Sequence, residues 1–319
     1  MKKLLIGTLL ASLATSLFAL PNLLEKKEVS ASSIKNLDIN LSWENLEIQE
    51  TYSTTIDIEI YCNNNKMAPR VKASGSTLYI DSAGRNNNFN LFSPGNRCTV
   101  ILYIPQNKQF NDIDLTASSG DIDVKTLLSG QKIYIAASSG EITSEKGLYA
   151  DEIKLRASSG DIQAENLDAN DFTAETSSGD ITIKGYTGST GSLSASSGDL
   201  EVDGFAAEYT SFKTSSGEIT VKKLDCDYFD AKSTSGAIYL ELATPILAKS
   251  SASASSGSIT LVVPENASFE VASHSSSGSF KNKFTNNKFV PRDTYHEKIN
   301  GGGPLLELST SSGSIELEY

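Results

Sequence analysis

The sequence predicts an all-β fold: a single-stranded parallel β-helix, a β-solenoid, with turns of about 20 residues. Three observations predict it. One phrase returns along the chain, as SSGDI at 118–122, 158–162 and 177–181, SSGEI at 138–142 and 215–219, and SSGDL at 196–200. It relaxes to TSGAI at 234–238, SSGSI at 255–259 and SSGSF at 276–280, and returns as SSGSI at 311–315. Its glycines stand at 120, 140, 160, 179, 198, 217, 236, 257 and 278, so the steps are 19 to 21 residues. Around each glycine, apolar residues fall on alternate positions, as in Leu115 and Ala117 before it and Ile122 and Val124 after it. That is strand periodicity, because successive side chains of a strand point to opposite faces. No stretch of the repeat has helical period.

Residues 1–19 read as a secretory signal peptide. Lys2 and Lys3 precede an apolar run over 4–17 that is short for a membrane span, and cleavage is expected after Ala19. No later apolar stretch would anchor the chain. Loss of the two lysines takes the net charge from −12 to −14, which argues against nucleic acid or an anionic membrane surface as partner.

Residues 20–112 read as irregular capping turns of one continuous domain that runs from 30 to 319. Strands are expected at 34–41, 56–62, 77–80 and 99–104, with an Asn- and Gly-rich loop at 82–97. Solenoids need atypical end repeats to hide their stacking faces. Residues 113–280 hold the regular repeats. Each reads as strand, Ser-Gly corner, strand and loose turn, since inward parity slips across the glycine between Ala117 and Ile122. Stacked in register, like residues would lie ~4.8 Å apart in ladders. The crossover preference of parallel strands makes right-handed coiling the expectation. Pro105 and Pro264 each follow a strand and precede a Phe five residues on, so they read as matching corners. Residues 281–319 hold an insertion that stretches one step of the period to 35, then a C-terminal capping turn.

These features resemble the bacterial putative-adhesin family, exported domains of no settled function. The matching residues are the ASSGDI and TSSGEI repeats, the strand-Pro-x4-Phe corners that end at Phe110 and Phe269, and the closing GGGPLLELSTSSGSIELEY. The resemblance covers about 30–319. It implies a β-solenoid at the cell envelope or beyond it, and it offers no catalytic residues to carry over.

Candidate chemistry is sparse. Asp121, Glu141, Asp161, Asp180, Asp199 and Glu218 directly follow the glycines, so stacking lines up their carboxylates. Neighbours ~4.8 Å apart repel by roughly 1 kcal/mol in water, which a cation would relieve. The column is therefore a candidate Ca²⁺ site, although calcium wants six to eight oxygens and the column offers fewer. The plain alternative is a solvated, charged face. The paired serines lack a nearby base, since the chain has only His274 and His296; hydroxyl ladders along the stack fit them better than nucleophilic catalysis. In the insertion, Lys283, Lys288, Arg292 and Tyr295 form a candidate partner-binding set, with a cap over the solenoid end as the alternative. Cys62 and Cys98 could form a disulfide, Cys226 is left over, and no Cys/His set has zinc spacing. Together the residues point to a non-catalytic, adhesin-like protein without a resident cofactor. It would bind a surface, a glycan or a protein partner, and be exported to the periplasm, the cell surface or the medium. A carbohydrate-active β-helix enzyme and a periplasmic envelope-stress or assembly factor are the alternatives.

Overall fold

The computed structural model of the 319-residue chain describes residues 22–83, 97–289 and 294–319. The expected signal peptide and positions 84–96 of the expected loop lie outside them. Among the described residues the regular structure is strand, apart from a 3₁₀ turn at Asn65–Met67. Equivalent residues of successive coils pair in parallel. Ile122 pairs with Ile142, Ile142 with Ile162, Ile162 with Ile181, Ile181 with Leu200, Leu200 with Ile219, Ile219 with Ile238 and Ile238 with Ile259. All of these side chains are buried. The refrain of the sequence is thus one apolar ladder through the core.

Each coil has three sides, not the two strands and loose turn that simple alternation suggests. In the strand Ile162–Thr176, Ile162 and Ala164 are buried, then Leu167 and Ala169, then Phe172, Ala174 and Thr176. Inward parity slips twice within this strand and once more at the Ser-Ser-Gly corner. The slip after Ala164 is made by one left-handed residue per coil. Asn166, Gly185, Gly204 and Lys223 have φ of 57°, 83°, 81° and 54°, a conformation that Gly and Asn adopt most easily.

The side before the corner, the third in chain order from each glycine, balances its volumes across coils. Phe172, Gly191, Thr210 and Phe229 are register partners. A Cβ at Gly191 would strike the Phe205 ring, and one at Gly188 the Tyr186 hydroxyl. These glycines make room for a run of rings, Phe172 to Tyr186 at 5.1 Å, Tyr186 to Phe205 at 4.6 Å and Phe205 to Phe212 at 5.3 Å between centroids. The buried Tyr186 hydroxyl donates toward Thr190 O at 2.6 Å, with Ala169 O at 3.1 Å, so its polar end is satisfied.

The corner glycines exist because of close approach. A Cβ at Gly140, Gly160, Gly179, Gly198, Gly217, Gly236 or Gly257 would be driven into the carbonyl oxygen of the previous coil's glycine. Glu44 holds the glycine position in the first coil, where SWENLEI stacks on SSGDIDV with Leu46 opposite Ile122. Its own carbonyl lies where a Gly120 Cβ would fall. The Glu44 side chain is fully buried. Its Oε2 accepts hydrogen bonds from Ser42 N (2.9 Å), Trp43 N (3.0 Å) and the Ser82 hydroxyl (2.6 Å), and its Oε1 has no partner.

At both ends the order in space departs from the order in the chain. Asn36–Leu41 and Asn45–Thr51 form the first coil, yet Thr77–Asp81 and Cys98–Pro105 stack outside it, while Asp112–Ala117 and Ile122–Val124 stack inside. Antiparallel strands Arg70–Ser74 and Thr55–Cys62 then cover that outer coil, and Leu23–Ser30 covers the latter. At the other end Leu305–Thr310 and Ile315–Glu318 lie between the coil at 250–262 and the coil made by Phe269–Ser275 and Phe280–Asn282. Tyr295–Ile299 and Asn287–Phe289 cover that last coil antiparallel. The chain's final strands are therefore one coil in from the end. Core chemistry fits the exchange: Leu308 and Leu317 fill the inner coil where Ser273 and Asn282 stand opposite them in the outermost one. Antiparallel covering strands end the parallel stack and blunt its edges.

Both proline corners turn alike, with Lys108 N donating to Pro105 O and Ala267 N to Pro264 O, and Phe110 and Phe269 are buried behind them. Cys62 and Cys98 are register partners in the antiparallel N-terminal cap, with Cα atoms 4.2 Å apart and their sulfurs joined.

Two stability outcomes follow from this packing. Gly198→Ala should lower the thermal midpoint strongly, by about 3 kcal/mol of stability, because backbone must move. Gly75→Ala, which meets nothing within 4 Å but has φ of +59°, should cost only about 1–2 kcal/mol. Equal midpoints for the two variants would refute the close-approach account. Cys98→Ser should lose about 4 kcal/mol, the loop-entropy figure for a separation of 36 residues, read by denaturant titration against wild type with and without reductant.

Candidate binding faces of the solenoid

The acidic column sits at the Ser-Ser-Gly corner, where backbone groups of neighbouring coils must find partners without regular strand geometry. Both serines donate their N–H groups to the previous coil, as in Ser138 N to Ala117 O and Ser139 N to Ser118 O. The N–H of the acidic residue is taken by the previous coil's carboxylate. Glu141 N donates to Asp121 Oδ1 at 3.0 Å, Asp180 N to Asp161 Oδ1 at 2.9 Å, Asp199 N to Asp180 Oδ1 at 2.8 Å and Glu218 N to Asp199 Oδ1 at 2.8 Å. In the first coil Asn45 does the same for Asp121 N at 3.1 Å. Side-chain length decides the chemistry here: Asp and Asn reach the next N–H, whereas Glu141 instead accepts from Gln163 Nε2 at 2.8 Å. Partial burial, then the like charges of Asp161, Asp121 and Asp123, push the Glu141 carboxyl above its usual range. Among the described residues no group of three or more His, Cys, Asp or Glu side chains is placed to hold a metal ion.

The expected hydroxyl ladder of paired serines is not what joins the coils. Backbone N–H groups carry that pairing, and the paired serines of the repeats face solvent. Ser277 alone among them, within the described residues, donates its hydroxyl to a neighbouring coil, to Ser311 O at 3.0 Å. A recurring hydroxyl bridge between coils lies inward, three residues before the glycine. Thr214 Oγ1 donates to Gly198 O at 3.1 Å and accepts from Gly217 N at 3.0 Å. Thr176 and Ser233 repeat the pattern.

In the insertion, Lys283 pairs with Glu318 at 2.7 Å, and that contact holds the Glu318 carboxyl below its usual range. Tyr295 lies in the covering strand Tyr295–Ile299, its ring 5.5 Å from that of Phe280. Lys288 stands in the covering strand Asn287–Phe289. Arg292 falls outside the described residues. The placed members of this set belong to the elements that cover the C-terminal coil.

The structure adds a face that sequence reasoning missed. Outward positions of the third side form a row in which Asn40, Thr116, Ala136, Arg156, Glu175 and Ser194 are successive register partners. They floor an open groove of about 590 Å³ that Tyr134 and the corner serines Ser118, Ser138, Ser158 and Ser177 also line. Arg156 Nε pairs with Glu175 at 3.0 Å, and Glu175 is the one carboxylate among the described lining residues. The row continues through Lys213, which pairs with Asp230 at 3.4 Å, to Lys232. The row belongs to the strand that the sequence shows before each glycine, but its outward residues share no chemical type, so no repeat marks them as a face.

Cys226, the third cysteine, is buried without a disulfide partner, and desolvation pushes its thiol up to about 12. Among the described residues no helix is long and apolar enough to cross a membrane.

No curated protein matches the chain. Solved structures with similar folds include a putative adhesin from Parabacteroides distasonis ATCC 8503, 15% identical, with a TM-score of 0.52, covering 93% of this chain and 97% of that one. A putative adhesin from Parabacteroides merdae ATCC 43184 is 12% identical with a TM-score of 0.52, covering 92% of this chain and 96% of that one. At such identities the likeness concerns the fold. The model of the Toastrack DUF4097 family matches residues 34–169 and again 145–318, so that nearly all of the coiled region is accounted for. The chain belongs to the Toastrack DUF4097 family.

Proposed function

We propose that this chain is a non-catalytic, exported, adhesin-like protein that binds an extended glycan along the groove of its third side. The groove is the observation that carries the reading. Thr116, Ala136 and Ser194 on its floor are short, which lets a flat ligand approach the sheet on either side of the Arg156–Glu175 pair. Hydroxyls line one wall, Tyr134 offers a ring for stacking, and the Arg156–Glu175 pair offers donors and acceptors together. Sugar rings with their hydroxyls match that mixture of apolar face and polar edge. Glycoside cleavage asks for two carboxyl groups facing each other across the bond to be broken, and Glu175 lines the groove as a single carboxylate already held by Arg156. Binding therefore fits the site better than hydrolysis. The names of the structural neighbours and the basic, apolar start of the chain support a place at the cell envelope or beyond it.

The acidic column is assigned to the backbone: each Asp Oδ1 clamps the N–H of the following coil. An aspartate engaged in this way has one oxygen left for a cation, well short of what calcium takes.

The reading is tested by a glycan array with the whole exported chain, followed by Tyr134→Ala and Arg156→Ala. Each variant should weaken binding about tenfold, ~1.4 kcal/mol, with an unchanged melting temperature, whereas Lys283→Ala should leave binding intact. Loss of binding in Lys283→Ala alone would move the site to the C-terminal cap. Protection of the chain from protease added to intact cells would remove the adhesin reading. For the column, Asp199→Ala should cost about 1–2 kcal/mol and Asp199→Asn much less, since the amide oxygen still accepts. Millimolar Ca²⁺ should raise the melting temperature no more than NaCl of equal ionic strength; a larger rise would restore the cation site.

A further inference from the structure

The groove runs on past its widest part. A second cleft of about 230 Å³ continues it along the coils, and the two share Thr176 and Ser194 in their lining. The wall of corner hydroxyls goes on through Ser196, Ser215 and Thr234, one from each coil. The floor changes character. Register carries the outward row from Ser194 to Lys213 and from Lys213 to Lys232. Two lysines thus stand on adjacent coils, where the first part of the row has hydroxyl and methyl groups.

Their charge is not balanced locally. Lys213 reaches Asp230 at 3.4 Å, and Asp230 also accepts from the Ser251 hydroxyl at 2.9 Å. Lys232 has no ion pair among the described residues. From Arg156 to Lys232 the row holds three cations, and its one carboxylate, Glu175, is engaged by Arg156. On a chain of net charge −12 the cleft is therefore a local strip of excess positive charge. Like charges on neighbouring coils repel, and an anion seated between them removes that repulsion.

The coil spacing says what such a strip can read. Successive coils lie ~4.8 Å apart, close to the length that one pyranose ring adds to an extended chain. A glycan laid along the solenoid therefore advances about one ring per coil. The coils that carry Tyr134, Lys154, Thr173, Ser192, Ser211 and Asp230 are consecutive in register. A chain of about six rings, stacked at one end on Tyr134, thus brings its far end over Lys213 and Lys232. Carboxylate or sulfate groups there each meet an ammonium in a charge-assisted hydrogen bond, with the Ser215 and Thr234 hydroxyls as further donors. A neutral glycan has nothing to offer these two charges and strips water from them.

We propose, resting on the glycan reading of the groove, that its ligand is acidic: an extended polysaccharide bearing carboxylate or sulfate groups. Lys213 and Lys232 hold those groups in the second cleft, while Tyr134 and Arg156 hold the rest of the chain.

The test is an array of carboxylated and of sulfated glycans of about six rings or more, each beside its carboxyl-reduced or desulfated neutral parent, read with the whole exported chain. Charged members should bind about tenfold or more tightly than their parents, and rising NaCl should erode that difference. The arm that binds identifies the acidic group. Lys213→Gln combined with Lys232→Gln should cut the preference to about twofold or less, and Lys213→Arg combined with Lys232→Arg should keep it. Equal binding of charged and neutral members, lost in Tyr134→Ala, overturns the acidic ligand and leaves the groove reading standing. A preference for charge that survives the paired glutamine substitutions does the same. Binding that Tyr134→Ala does not weaken, or no binding by any member, overturns both.

Discussion

The distance between coils is the constraint on which the rest of the structure depends. At the Ser-Ser-Gly corner the chain of one coil runs so close to the last that a carbonyl oxygen occupies the place of the next residue's Cβ. Glycine follows from that contact alone, not from a need for unusual φ. The neighbouring identities then follow from hydrogen-bond bookkeeping. The N–H after the glycine finds no strand partner, so a short carboxylate or amide from the coil before supplies one. The glycine's own N–H and the preceding glycine's C=O point inward, where Thr176, Thr214 or Ser233 bridges them. Buried backbone groups are rarely left unpaired, and at the corners of Thr176, Thr214 and Ser233 one short motif answers for these groups. Glu44 shows the rule from the other side. It stands at the glycine position of the first coil with its carbonyl against Gly120, and its buried carboxylate accepts from Ser42 N, Trp43 N and the Ser82 hydroxyl.

Much of this was legible in the sequence and some was not, for physical reasons. The columns at Ile122, Ile142 and Ile162 are spelled out because ladders of identical aliphatic side chains stack well. The disulfide pair was visible as two cysteines at strand ends, and the two proline corners as a repeated strand-Pro-x4-Phe pattern. The side at Leu148, Leu167 and Tyr186 was hidden in what reads as a loose turn, since a left-handed residue such as Asn166 or Gly185 resets the parity just before it. The role of the acidic column was hidden too. Sequence places its carboxylates in line, but only geometry shows that one oxygen of each aspartate is spent on an amide. The exchange of coil order at the ends could have been read from polarity. Ser273 and Asn282 face inward where Leu308 and Leu317 stand in the other coil, and the more polar coil belongs at the end of a stack.

The covering strands and the reordered coils solve one problem together. A parallel stack of identical units has no internal reason to stop, and each bare edge is a template for another chain. Antiparallel strands such as Tyr295–Ile299 and Thr55–Cys62 change the hydrogen-bond direction at the boundary. Leu305–Thr310 and Ile315–Glu318, set one layer down, then pair with a coil on both sides.

Periodicity also says where recognition belongs. Positions that repeat are positions held by the stacking itself, as the glycines, the inward aliphatics and the corner aspartates are. A surface that tells one ligand from another needs residues free of that demand. The outward row from Asn40 to Ser194 changes chemical type at every step, through amide, hydroxyl, methyl, guanidinium, carboxylate and hydroxyl. The core column beside it, from Ile39 through Leu115, Ile135, Leu155 and Ala174 to Leu193, stays aliphatic over the same coils. The strand register thus holds unlike groups at fixed spacing on a rigid sheet, which is the preorganisation that keeps the entropic cost of binding low. The corner column is regular because the backbone needs it, and the third side is irregular because the backbone does not.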